Sequence, residues 1–179
     1  MRRPKYSFGS LLPVLFTAFL FVGCSMMDDG SYVKPITLYE KVNGNWQLSS
    51  IRQIDETAKA SNMSVTEMPL TEQFNFGSFA TALNADVNNN PSTYAVSGEA
   101  PELFPNKGYW DLDLEFPSAG GTSSIIYLYS DAAKAQLTER LVITTPPGTD
   151  GVMELRLTRM SNGVPFVSYQ YKLLKTNDK

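Results

Sequence analysis

The feature that most constrains the fold of this chain is a recurring alternation of apolar and polar residues. In its clearest instance, residues 109–116, one face carries Trp110, Leu112, Leu114 and Phe116, and the other carries Asp111, Asp113 and Glu115. A period of two residues is that of a β-strand with one face in a core and one in water. Strands of this kind form antiparallel sheets with a single buried face, so the alternation predicts an all-β fold.

Similar segments follow one another along most of the chain, with turn residues between them. They predict eight or nine short strands, with the definite ones at 45–51, 72–76, 92–97, 109–116, 124–129, 137–144, 153–158 and 167–173. Residues 78–91 are compatible with a strand, a short helix or a loop. Residues 35–42 predict a short helix with Pro35 near its first turn. Sequential antiparallel strands of this number form either a sandwich or an up-and-down barrel.

Two short glycine–tryptophan motifs favour the barrel. Gly44-Asn45-Trp46 lies on the first predicted strand, and Gly108-Tyr109-Trp110 opens the mid-chain strand. They resemble the Gly-x-Trp motif of the lipocalin and fatty-acid-binding superfamily, and the chain is similar to lipocalin-like lipoproteins of Gram-negative bacteria. The resemblance implies an up-and-down antiparallel β-barrel of about eight strands over residues 35–179. It also implies that Trp46 packs at the closed end of the barrel with a late-strand arginine across it, for which Arg159 is the candidate.

The N-terminal segment predicts export and a lipid anchor. Three basic residues at positions 2, 3 and 5 precede an uncharged apolar run over residues 11–22, which is the order of a secretory signal. Phe21-Val22-Gly23-Cys24 resembles the lipobox of bacterial lipoproteins, and Cys24 is the one cysteine of the chain. We therefore expect a cleaved signal peptide over residues 1–23, lipid attachment at Cys24, an acidic tether over residues 24–34 and a barrel domain over residues 35–179.

The expected anchor determines the expected location. A lipoprotein cysteine carries a diacylglycerol and a further acyl chain such as palmitate, and two or more chains hold a protein stably on a membrane. Asp28 and Asp29 stand four and five places beyond Cys24, and some Gram-negative groups use acids in this region as a surface-export signal. The sequence therefore predicts an outer-membrane protein that faces the cell exterior.

Charge and composition disfavour several classes of function. Residues 1–23 hold three of the 15 basic residues and none of the 18 acidic ones, so the remaining chain carries 12 against 18, a net charge of −6. An acidic surface repels phosphate backbones, so no nucleic-acid partner is expected. The chain has no histidine, and a lipidated Cys24 leaves no thiol. Histidine-dependent hydrolysis and thiol nucleophiles are thereby excluded, and we expect no enzyme activity, cofactor or metal.

Some carboxylates have spacings that resemble other kinds of site. Residues 86–90 begin like a calcium loop, but Pro91 and Ser97 stand where the loop requires Gly and Glu. The acids of residues 109–116 alternate with core residues, so we expect them to face water. Glu139 is in register with Leu141 and Ile143, and we expect it to point inward, toward Arg159.

Aromatic residues on the inward faces are the candidate ligand-binding residues. Tyrosine combines an apolar ring with a polar tip, which suits a small apolar or amphipathic molecule, and a carbohydrate is also compatible. The candidates are Tyr94, Trp110, Tyr127, Tyr169 and Tyr171. The alternative is that the same residues fill a solid core. The protein would then be a structural or interaction subunit of a cell-surface complex or fimbrial assembly.

Substitution of Cys24 by serine tests the anchor. We expect Cys24→Ser to abolish acylation, because the thiol is the acceptor of the first lipid. Metabolic labelling with a fatty acid measures this, and Ser25→Ala, which keeps the thiol, is the control. Label that still enters the Cys24→Ser protein would contradict the lipid anchor.

Overall fold

A computed structural model of the protein describes residues 33–116 and 123–176. The expected signal peptide, Cys24, most of the expected tether and the glycine-rich turn at residues 118–121 lie outside the described residues. The described residues from Ile36 onward belong to one compact unit. Within the described part of the chain, no helix has the length and apolar character that a membrane span requires.

Nine strands and two short α-helices make up the described part of the chain. In order they are α1 (Leu38–Val42), β1 (Gly44–Asp55), α2 (Glu56–Ala60), β2 (Glu67–Pro69), β3 (Ala80–Ala85), β4 (Pro91–Ser97), β5 (Lys107–Leu112), β6 (Ile125–Tyr129), β7 (Leu137–Thr145), β8 (Val152–Ser161) and β9 (Val164–Thr176). A 3₁₀ turn, Phe76–Ser78, precedes β3.

The strands form a closed barrel. From β3 to β9 each strand pairs with the next along the chain, β1 pairs with β3, and β9 returns to pair with β1. These eight strands are antiparallel throughout. The three-residue strand β2 pairs only with the second half of β1. The prediction of an all-β, up-and-down antiparallel barrel with a short N-terminal helix is confirmed. Closure pairs the strand edges that an open sheet would expose.

A β-bulge in β1 keeps the buried residues on the inside of the barrel. Leu48 pairs with Leu173 and Ser50 pairs with Lys172, so that Ser49 is the extra residue. Because side chains alternate, an unbulged strand would turn position 50 inward and position 51 outward. The bulge returns Ile51 to the interior, where it is buried.

Helix α1 closes one end of the barrel, which we call the closed end. Thr37 and Glu40 form a capping box at the start of the helix, with the Glu40 amide donating to Thr37 Oγ1 at 3.2 Å. Leu38 and Val42, the first and last residues of this helix, are fully buried in the core. The Trp46 indole N–H donates to the Val42 carbonyl at 2.8 Å, so the helix and the first strand are joined at this end.

The cation across Trp46 is Lys175, and the prediction of Arg159 for this position is wrong. The β1–β9 register pairs Trp46 with Lys175, whose ammonium lies 5.4 Å from the centre of the indole. Gly44 has φ +130°, and a Cβ there would lie 2.8 Å from Lys175 Cε, so glycine admits the lysine side chain. Arg159 pairs opposite Val167, near the far end of β8, so the antiparallel register carries it away from Trp46.

The strand predictions fail at two places. Residues 72–76 are not a strand, because Phe74 and Asn75 have φ values of +52° and +58° and turn the chain. Phe74 is 67% exposed, whereas Phe76 is buried in the 3₁₀ turn. Strand β5 ends at Leu112. The apolar–polar alternation continues in the sequence up to Phe116, but residues 113–116 are not part of a strand. The ambiguous segment 78–91 contains β3 and the start of β4.

Removal of the Trp46 side chain tests the closed end. Trp46 is almost fully buried and hydrogen-bonded, so we expect Trp46→Ala to lower the free energy of unfolding by about 3–5 kcal/mol. Phe74→Ala, at an exposed aromatic residue, is the matched control and should change it by less than about 0.5 kcal/mol. Denaturant unfolding measures both variants. Equal effects would mean that the closed end does not depend on Trp46.

Candidate functional site

The candidate site lies at the end of the barrel opposite α1, which we call the mouth. The connection between β4 and β5, residues 98–106, crosses this end and is here named the mouth loop. It is anchored on the 3₁₀ turn, since the Glu99 amide donates to Ser78 Oγ at 2.9 Å. Gly98 has φ +98°, and a Cβ there would lie 2.2 Å from the Ser78 carbonyl oxygen, so glycine permits this close crossing.

The mouth loop inserts an aromatic side chain into the barrel. The Phe104 ring lies 6.3 Å from the ring centre of Phe79 and 6.3 Å from that of Tyr171, both nearly edge to face. Phe79 and Tyr171 are themselves 5.4 Å apart. Edge-to-face arrangements at these distances are favourable. Phe104 is half-buried, so one side of its ring faces the core and the other faces the surface.

Two small voids lie on either side of Phe104. The inner void, inside the barrel, has a volume of about 10 Å³ and is walled almost entirely by apolar side chains. The outer crevice, between the mouth loop and Val96, has a volume of about 70 Å³. Phe79 and Phe104 border both. The inner void has room for about one water molecule, so the interior is filled and Phe104 is the partition between the voids.

The Tyr94 side chain brings an unpaired hydroxyl into this apolar interior. Tyr94 borders the inner void and is 2% exposed, and its Oη has no hydrogen-bond partner among the described residues. The neighbouring Thr138 hydroxyl donates its own proton to the Leu128 carbonyl at 3.0 Å, and its approach to the Tyr94 phenol partly offsets the effect of burial on the phenol pKa without forming a hydrogen bond of normal geometry. Burial raises the pKa of the Tyr94 phenol, so the group is a neutral donor. Its ring packs over Gly108, where a Cβ would lie 2.9 Å from Tyr94 Cε1.

An ion pair stands on the inner wall of the mouth. One nitrogen of the Arg159 guanidinium donates to Glu139 Oε2, and the other donates to the Leu103 carbonyl of the mouth loop. The predicted inward pairing of Glu139 with Arg159 is confirmed. The side chains are 16% and 36% exposed, so the pair is reached from solvent on the arginine side. Tyr171 lies nearby, and burial is the main cause of the raised pKa of its phenol.

The structure brings only some of the candidate ligand-binding residues together. Tyr94 and Tyr171 line the inner void, and Tyr169 is half-buried on the same strand nearer the mouth. Trp110 is fully buried, with its indole N–H donating to the Asn84 carbonyl at 2.7 Å, and it does not border the void. The assignment of Tyr127 to the interior is wrong. It alternates with buried neighbours, and its ring lies 5.8 Å from the guanidinium of Arg140 on the outer face.

The other carboxylates considered from sequence have structural partners. Asp111 forms an ion pair with Lys134 at 2.9 Å, and Asp113 accepts from the Ile125 amide at 2.8 Å. Asp86 accepts from the amides of Asn88 and Asn90 at 2.8 and 2.9 Å, and so shapes the β3–β4 turn. No group of three or more potential metal ligands occurs among the described residues.

Sequence reasoning missed the mouth loop and the residues it contacts. Leu103 and Phe104 lie between two predicted strands, and Phe79 lies in the segment 78–91 that is compatible with a strand, a short helix or a loop, so a strand period identifies none of them. A signal was present, because Leu103-Phe104 is an apolar pair between Pro101 and Pro105 in an otherwise polar connection. Buried apolar residues in a loop indicate that the loop folds back on a core.

The chain was also compared with known proteins. A family described as a domain of unknown function (DUF5004) matches residues 22–174, which is most of the chain. Among the curated proteins and the solved structures, nothing matches the chain.

Removal of the Tyr94 hydroxyl tests whether it is unpaired. A buried hydroxyl without a partner costs about 1–3 kcal/mol, so Tyr94→Phe should raise the free energy of unfolding or leave it unchanged. Tyr127→Phe, on the outer face, is the matched control and should have little effect. Denaturant unfolding decides the outcome. A loss of about 1 kcal/mol or more in Tyr94→Phe would show that the hydroxyl has a partner.

Proposed function

The chain belongs to the DUF5004 family, and because the description of that family assigns no activity, we propose its function from the sequence and the geometry of the barrel. The protein is a lipid-anchored outer-membrane protein that binds a small apolar or amphipathic molecule at the mouth of the barrel. The binding is non-catalytic. The expected acylation of Cys24 and the pattern of residues 1–23 support the anchor, and the closed barrel supports the binding role.

The unpaired Tyr94 hydroxyl is the observation that carries the binding proposal. A neutral donor in an almost entirely apolar enclosure is an arrangement that fixes the orientation of a ligand through one polar atom. The Glu139–Arg159 pair adds a second polar point near the mouth. Since the inner void holds only about 10 Å³, the ligand enters where the mouth loop now packs.

The described chain leads into α1 and β1 at the closed end, so a tether from Cys24 joins the barrel there. The 14 residue-to-residue steps from Cys24 to Leu38 span at most about 50 Å when fully extended.

A structural or interaction subunit is the second candidate function, and the filled interior favours it. A barrel whose inner void is about 10 Å³ needs no ligand to complete its core. The β8–β9 hairpin also exposes Met160, Val164 and Phe166 beside the mouth, as a protein-binding surface does. In this role the mouth loop stays permanently in place.

Native mass spectrometry of the purified protein, after exposure to cell and growth-medium extracts, separates the two functions. A discrete added mass is expected. Tyr94→Phe should bind the recovered molecule about two- to tenfold more weakly, because one hydrogen bond is lost. Tyr127→Phe, on the outer face, should bind it as the wild type does. A folded, monodisperse protein with no added mass contradicts the binding role and supports the structural one.

A further inference from the structure

We propose that the mouth loop carries an internal copy of the ligand, formed by the Leu103 carbonyl and the Phe104 ring. The ligand is then a molecule with an aromatic ring and a carboxylate or carbonyl group separated by three atoms. It displaces the loop and takes over both of its contacts. This inference rests on the proposed binding function and names the ligand class for the same site.

The ring position is the first part of the copy. Phe104 is the loop side chain that enters the aromatic cluster, and it contacts Phe79 and Tyr171 there. It also separates the inner void from the outer crevice. Withdrawal of the ring joins the two voids into one site, whose inner part is apolar and whose outer part is bordered by polar groups such as Glu102 and Asn106. Engineered apolar cavities of about 150 Å³ bind benzene, so a vacated ring position of this kind accepts another aromatic ring.

The oxygen position is the second part of the copy. The Leu103 carbonyl accepts from one nitrogen of Arg159, while the other nitrogen is held by Glu139. When the loop leaves, the Arg159 nitrogen that donated to Leu103 becomes free. The hydrogen bond to Glu139 still holds the guanidinium in the same orientation. A carboxylate accepts a stronger, charge-assisted hydrogen bond from that donor than a peptide carbonyl does. Between the Leu103 carbonyl carbon and the Phe104 ring lie three atoms, the backbone nitrogen, Cα and Cβ.

The mouth loop is attached weakly enough to be displaced. Its base is held by the Val96 amide donating to the Asn106 carbonyl at 2.6 Å and by the contact of Glu99 with Ser78. Between these points most loop residues are exposed, and only Ala100, Leu103 and Phe104 pack against the core. Of these three, Phe104 makes the ring contacts and Leu103 accepts the hydrogen bond from Arg159. Segments with few buried contacts open at lower free energy than the core. The ligand therefore competes with two residues rather than with a folded element.

Binding of 4-phenylbutyrate to the full-length protein in detergent tests this inference. Its carboxylate and ring are separated by three carbon atoms, the spacing found in the loop. Phe104→Ala should bind it at least about tenfold more tightly than the wild type, because the competing ring is gone and the open state no longer has to be populated. Titration calorimetry measures the affinities. Phe74→Ala, at an exposed phenylalanine, is the matched control and should bind as the wild type does.

Two further comparisons separate the ring contact from the oxygen contact. Butyrate lacks the ring and butylbenzene lacks the carboxylate, and each should bind Phe104→Ala at least about tenfold more weakly than 4-phenylbutyrate does. The double variant Glu139→Gln, Arg159→Gln leaves no unpaired charge. Combined with Phe104→Ala, it should lose the preference for 4-phenylbutyrate over butylbenzene.

The outcomes distinguish this inference from the proposed function. If Phe104→Ala is folded and binds 4-phenylbutyrate no more tightly than the wild type, the loop does not imitate the ligand, whatever the extracts yield. If Phe104→Ala does not fold, Phe104→Leu keeps an apolar side chain and should still bind at least about threefold more tightly. Equal affinity in Phe104→Leu and the wild type overturns the inference. An added mass from the extracts that is not displaced by 4-phenylbutyrate supports the binding function and contradicts this ligand class.

Discussion

The pairing of the first long strand with the last one is the constraint on which the rest of the structure depends. β1 and β9 are 12 and 13 residues long and pair from Asn45 with Thr176 to Asp55 with Val167. This pairing closes the barrel, and the bulge within β1 keeps Trp46, Leu48 and Ile51 on its inner face. It also separates the two ends. One becomes the closed end under α1, and the other becomes the mouth.

The two ends of the barrel differ in the way their buried polar groups are paired. At the closed end, the Trp46 indole N–H donates to the Val42 carbonyl and the ring lies beneath the Lys175 ammonium. At the mouth, an unpaired tyrosine hydroxyl and an ion pair stand among aromatic rings, and a loop covers them with one phenylalanine. Buried polar groups without full pairing are costly to a fold. This contrast supports the proposal that the mouth binds a ligand, whereas the closed end contributes stability.

Some features of the fold and the site could be predicted from single residues. The inward register of Glu139 and Arg159 follows from alternation along β7 and β8, and their pairing follows from the cost of a lone charge inside a barrel. Other predictions failed because they depend on contacts between distant segments. Tyr127 was placed inward from its residue type, although its buried neighbours turn it outward. Phe74 belongs to a turn with positive φ, which alternation over five residues cannot reveal.

The amino-acid sequence by itself determined the all-β class of the fold, the location of seven of the nine strands and the small helix before them, because these follow from local periodicity. It also determined the charge balance and the pattern around Cys24. Only the tertiary structure decided that Lys175, rather than Arg159, covers Trp46, since strand register sets which residues meet across the barrel. It likewise decided that the interior is filled and that Phe104 fills its mouth. The volume left inside a barrel depends on how side chains from distant parts of the sequence pack together, so a local sequence pattern cannot predict that volume.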